Sequence, residues 1–145
     1  MTTIPRNVLD GWDVLVVDDE PDSLEVASRL LRHYGAQVRT ATNGEEALNT
    51  VREKRPTVVI SDLSMPVLDG WGLIFALKQN RSTIDLPVIA LTAHAMVGDR
   101  DRAISAGFHN YLIKPLTPST FIKDLLRLLV EIPEFAEPLK EYANV

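Results

Sequence analysis

The sequence predicts an α/β fold, a doubly wound sheet of five parallel strands with five flanking helices. Three observations carry this. Five short, β-rich apolar runs recur along the chain, segments of helical period separate them, and three of the runs are nearly continuous Val, Ile and Leu. Continuous apolar runs suit strands covered on both faces, as in a parallel sheet. Regular alternation of strand and helix places helices on both sides of that sheet, and right-handed crossovers restrict how the units are arranged.

The first strand spans Val14–Val17. The first helix spans Asp22–Tyr34, where Leu24, Ala27, Leu30, Leu31 and Tyr34 share one face and Gly35 supplies the stop. The second strand, Gln37–Thr42, leads to Asn43 as an N-cap, with Glu46 three residues later as in a capping box. Ala47, Leu48 and Val51 form the buried side of that helix. The third strand, Thr57–Ser61, precedes a helix from about Asp69 to Gln79 through Leu73, Ile74 and Leu77. Between them Pro66, Asp69 and Gly70 read as a bend, a cap and a permissive turn. The fourth strand is Pro87–Thr92 and its helix is Asp99–Ala106, closed by Gly107. The fifth strand is Asn110–Ile113. Its helix opens on Thr117 as cap with Pro118 in the first helical position, where the missing N–H costs nothing. The apolar face there is Phe121, Ile122, Leu125, Leu128 and Leu129.

A length of 145 residues is one domain's worth. With 46% hydrophobic and 24% charged residues the chain can build a core, which excludes disorder for its bulk. The absence of cysteine excludes a disulfide scaffold, thiolate metal sites and thiol catalysis and fits a reducing cytoplasm. A net charge of −5 disfavours direct nucleic-acid binding through overall positive charge. No apolar run approaches the roughly 18 residues of a membrane helix, and Met1–Asp10 lacks the apolar centre of a signal peptide. The expected organisation is a polar lead-in (1–11), the α/β domain (12–130) and an acidic tail (131–145). Pro133 and Pro138 predict an irregular tail with one short helical turn.

Chemistry concentrates at the strand ends. Strand one ends in Asp18-Asp19-Glu20, strand three in Asp62 and strand four in Thr92, and strand five is followed by Lys114-Pro115. Parallel strands share one carboxyl edge, where ligand sites of doubly wound sheets form. In a 2-1-3-4-5 strand order, strands one and three are neighbours about 5 Å apart, and Asp18, Asp19 and Asp62 crowd together. Such carboxylates raise one another's pKa and call for a counter-charge. A hard divalent cation with oxygen ligands, Mg²⁺, suits them, and Lys114 is a second candidate. Aspartates after strands also cap helices, and that role explains Asp18-Asp19 taken alone. It does not explain Thr92 and Lys114 in register with them.

With these pieces in place, the sequence resembles a receiver domain of bacterial two-component response regulators. The matching segments are Val14-Leu-Val-Val-Asp-Asp-Glu20, Val59-Ile-Ser-Asp62 with Met65-Pro-Val-Leu-Asp-Gly70, Ile89-Ala-Leu-Thr-Ala93 and Tyr111-Leu-Ile-Lys-Pro115. The resemblance covers Trp12 to Val130 and implies a flavodoxin-like receiver fold. It implies Asp62 as phospho-acceptor, Asp19 as direct Mg²⁺ ligand, Asp18 as an acidic partner acting through water, and the Ser64 backbone carbonyl as a further ligand. It implies Thr92 and Lys114 as the hydroxyl and ammonium that meet the phosphoryl group. Thr92 and Tyr111 would form the switch, and the Lys114–Pro115 bond would be cis. The implied partners are a sensor histidine kinase or histidine phosphotransfer protein and a downstream protein, with no direct nucleic-acid or membrane contact. The expected state is a monomer or weak homodimer in the cytoplasm. The expected function is a switch that catalyses only its own phosphorylation and dephosphorylation. With residues 12–130 assigned, no attached output domain is expected. A stand-alone, single-domain regulator acting through protein contacts is expected.

Other readings predict different residues. A haloacid-dehalogenase-type phosphatase wants a second acid two residues after its nucleophile, where this chain has Asp62-Leu63-Ser64. A nucleotide- or flavin-binding domain wants a Gly-rich loop after strand one, where Asp18-Asp19 would repel phosphate. A degenerate receiver would serve only as a binding module, and the matched residues argue against it. His94 belongs at the rim of the site, His33 and His109 at the surface, and Trp12 and Trp71 in packing. The run Asp99-Arg-Asp-Arg102 reads as a solvated helix start on the output face.

Overall fold

A computed structural model describes residues 4–93 and 98–142. The strands are β1 (Asp13–Val17), β2 (Gln37–Ala41), β3 (Val58–Asp62), β4 (Val88–Thr92) and β5 (Asn110–Ile113). They form one parallel sheet in the order β2-β1-β3-β4-β5. The helices are α1 (Pro21–His33), α2 (Gly44–Glu53), α3 (Gly70–Lys78), α4 (Asp99–Ala106), α5 (Phe121–Leu129) and α6 (Pro133–Leu139).

Strand period two splits the core in two. Val14 and Val16 of β1 face one side with Val58, Ile60, Ile89 and Leu91, against α1, α5 and α6. Leu15 and Val17 face the other side with Val59, Val88 and Ala90, against α2, α3 and α4. Every residue of β3 and β4 is buried, which is why those runs are apolar without alternation. At the sheet edge, β2 is half exposed.

Local signals explain several helix ends. Asn43 accepts from the Glu46 amide at 2.9 Å, as an N-cap does. The Glu46 carboxylate accepts from the Thr42 hydroxyl at 3.0 Å. Gly107 closes α4 at φ +117 with the Lys78 chain close against it, a place for no larger residue.

Three expectations need correction. The helix predicted to open on Thr117 and Pro118 begins at Phe121, after a turn in which the Thr117 carbonyl accepts from the amides of Thr120 and Phe121. The described part of the tail, to residue 142, is not irregular. Pro133 starts α6, where a missing N–H is harmless, and Ile132, Phe135 and Leu139 are buried in the core. Trp12 meets Phe135 with ring centroids 4.5 Å apart. The polar lead-in also contributes, since Leu9 is fully buried in the same cluster.

Candidate functional site

The carboxyl edge of the sheet gathers the predicted polar residues. The Asp18 amide extends the β1–β2 pairing by donating to the Ala41 carbonyl at 3.1 Å. The Lys114 amide extends the β4–β5 pairing to the Thr92 carbonyl at 2.7 Å. Backbone pairing therefore places Asp18 just past β1 and Lys114 just past β5, and Asp62 ends β3 itself. The Lys114–Pro115 bond is cis.

At the centre stands the Lys114 ammonium. It lies 2.8 Å from Asp18 Oδ2, 3.2 Å from Glu20 Oε1 and 3.4 Å from Asp62 Oδ2. Asp18 is wholly buried and Asp62 nearly so, whereas Asp19 and Glu20 are exposed. Asp18 Oδ1 accepts from the Glu20 amide at 3.0 Å, and Asp62 Oδ1 accepts from the Ser64 amide at 3.3 Å. Burial pushes the Asp62 carboxyl above its ordinary range. Lys114 opposes the rise and the Asp18 carboxylate adds to it. For Lys114, burial pulls the ammonium down, but Asp18, Asp62 and Glu20 together outweigh it and hold it above its usual value.

Carboxylate oxygens from Asp18, Asp19, Glu20 and Asp62 lie within 4.8 Å of one another. Four such groups around one ammonium leave excess negative charge. An all-oxygen donor set of this size fits a hard divalent cation such as Mg²⁺. Glu20 was not singled out from the sequence as a site residue, although the signal was there, as the third acid of the strand-one run. Ser64 is exposed, and its amide is the backbone group that meets the cluster at Asp62.

The loop from β3 to α3 is shaped by two constraints. A Cβ on Gly70 would collide with the Asp62 carbonyl, so glycine is required there by crowding. The left-handed residue of the loop is Val67, at φ 69, and not Gly70. Asp69 caps α3 by accepting from the Gly72 amide at 2.8 Å.

The predicted switch residues lie farther along the edge. Thr92 is buried at the end of β4, one residue past the Asp62–Leu91 pairing. Tyr111 pairs with Ala90 and is half-buried against the α2–α4 side of the core. His94 lies outside the described residues. His33 is exposed as expected, but His109 is only part-exposed, with Nε2 3.1 Å from the Leu128 carbonyl. Trp71 packs edge-on against Phe108. Arg100 and Arg102 are not simply solvated: Arg100 reaches Asn110 at 3.2 Å and Arg102 lies over Trp71.

Residues 14–126 match the family described as the response regulator receiver domain. The transcriptional regulatory protein PrrA of Mycobacterium tuberculosis is 40% identical over 116 residues, which cover 80% of this chain and 49% of PrrA. The chain thus spans about half the length of that relative. Among solved structures, the chemotaxis response regulator CheY4 of Vibrio cholerae is similar with a TM-score of 0.76 and 32% identity, over 81% of this chain and 98% of that one. A receiver domain of a sensor histidine kinase from Pseudomonas aeruginosa, solved with a magnesium ion coordinated in its active site cleft, is similar with a TM-score of 0.73 and 31% identity. It covers 81% of this chain and 97% of that one.

Proposed function

Because the chain belongs to the response regulator receiver domains of two-component signalling, we propose that Asp62 accepts a phosphoryl group from a phosphohistidine donor. The observation that carries this reading is one buried carboxylate at the sheet's carboxyl edge, with Lys114 at 3.4 Å and three more carboxylates around it. An Asp62 oxygen attacks phosphorus, the P–N bond of the donor breaks, and the departing imidazole takes up a proton. The product is an acyl phosphate on Asp62. Catalysis is positioning and charge stabilisation, as phosphoryl transfer requires.

Asp18, Asp19, Asp62 and the Ser64 carbonyl would hold Mg²⁺. When bound it supplies positive charge for the phosphoryl oxygens. Lys114 exchanges carboxylate contacts for the new oxygens, and the Thr92 hydroxyl donates to them. As Thr92 follows the phosphoryl group, Tyr111 turns inward, and the surface of α4, β5 and α5 changes. This is a local charge event biasing a two-state element. The donor is a sensor histidine kinase or histidine phosphotransfer protein, and the readout is contact with a downstream protein by a cytoplasmic monomer or weak homodimer. The protein turns over no other substrate. Incubation with Mg²⁺ and acetyl phosphate tests the reading by intact mass. One phosphoryl adduct is expected, absent with chelator and absent in Asp62→Asn.

A further inference from the structure

Among the described residues, α4 buries little of its surface in the domain. It has eight residues, and among the described residues Ala103 is its one buried side chain. It opens on Gly98 at φ +90 without a side-chain cap. Two arginines add to this hold. Arg100 Nε donates to Asn110 Oδ1 at 3.2 Å, and the same oxygen accepts from the Tyr111 amide at 2.9 Å. The Arg102 guanidinium lies 4.4 Å from the centroid of the Trp71 ring. Trp71 in turn meets the buried Phe108 edge-on at 5.7 Å, and Phe108 stands between α4 and β5. Trp71 is therefore gripped by α4 and by the segment that follows it.

Trp71 is also tied to Asp62. It follows Gly70, whose backbone closes onto the Asp62 carbonyl and whose amide donates to the Leu63 carbonyl at 3.1 Å. The Asp62 loop thus bears on the indole through Gly70, and α4 bears on it through the guanidinium. Arginine suits a contact that must open and close. It stacks on aromatic faces and is weakly hydrated, and indole is the strongest ring partner. Arg102 is exposed, so water receives it when the contact opens.

We propose that Arg102 and Trp71 form a latch that holds α4 in its resting place and opens when Asp62 is phosphorylated. The coupling rests on the phosphorylation reading above. Hydrogen exchange of the full chain tests it, with intact mass recording adduct in parallel. In unphosphorylated Arg102→Ala, amides of α4 exchange about 2- to 5-fold faster, the range of an exposed cation–π contact, while sheet amides are unchanged. Arg102→Lys keeps a cation over the ring and restores slow exchange. Phosphorylated wild type shows the same acceleration in α4, and phosphorylating Arg102→Ala adds little more. Unchanged α4 exchange in Arg102→Ala overturns the latch. Acceleration by phosphorylation that is as large in Arg102→Ala as in wild type overturns the coupling. A wild-type chain that takes no adduct is seen by mass before any exchange is read. That result refutes the phosphorylation reading, and the coupling falls with it.

Discussion

Lys114 Nζ lies 2.8 Å from Asp18 Oδ2, an ion pair whose carboxylate has no solvent exposure. Removing one partner of such a pair leaves a buried charge uncompensated. Lys114→Ala is therefore expected to destabilise the metal-free protein by about 3 kcal/mol. Urea unfolding with chelator present measures it as a fall in midpoint at constant slope.

Asp62 has the opposite sign. Its folded-state pKa is raised by burial and by Asp18, with Lys114 opposing, so the folded protein binds this proton more readily than the unfolded chain does. At neutral pH the ionised group opposes folding. Asp62→Asn is expected to be more stable than wild type without divalent ions. As pH falls through the raised value the wild type takes up its proton and the gap closes. Thermal melts from pH 7 downward, in chelator, read this directly.

The strands and the first four helices were legible because their signals are local: continuous apolar runs at Val58–Asp62 and Val88–Thr92, the Asn43 cap and the Gly107 stop. The carboxyl-edge cluster was legible because strand direction alone brings its members together. What was missed depends on tertiary contact. Two prolines made the tail read as irregular, yet burial of Ile132, Phe135 and Leu139 outweighs them. Leu9 follows Val8 in a short lead-in, and no period announces its burial. Glu20 reaches Lys114 across 94 residues of sequence, and the Arg102–Trp71 contact joins two helices that no spacing rule links.

A divalent ion that binds the folded site raises stability by mass action. Mg²⁺ at about 100 times its dissociation constant adds about 2.7 kcal/mol. The melting temperature of the wild type should climb with Mg²⁺, and that of Asp19→Asn should respond much less. Equal responses would remove Asp19 from the ligand set.

The tail helix belongs to the core. Phe135 is buried against Trp12, so Phe135→Ala is expected to cost about 3 kcal/mol. Trp12 emission should shift to the red as its ring gains water. A silent substitution in urea unfolding would mean that α6 does not stabilise the domain.

The central claim is that the phosphoryl group sits on Asp62 and on no neighbouring carboxylate. Borohydride reduces an acyl phosphate to an alcohol and converts a phosphorylated aspartate to homoserine. After phosphorylation, reduction and peptide mapping, residue 62 is expected to read as homoserine, with Asp18, Asp19 and Glu20 unchanged. Homoserine at position 18 or 19, or reduction of Glu20, would contradict the account.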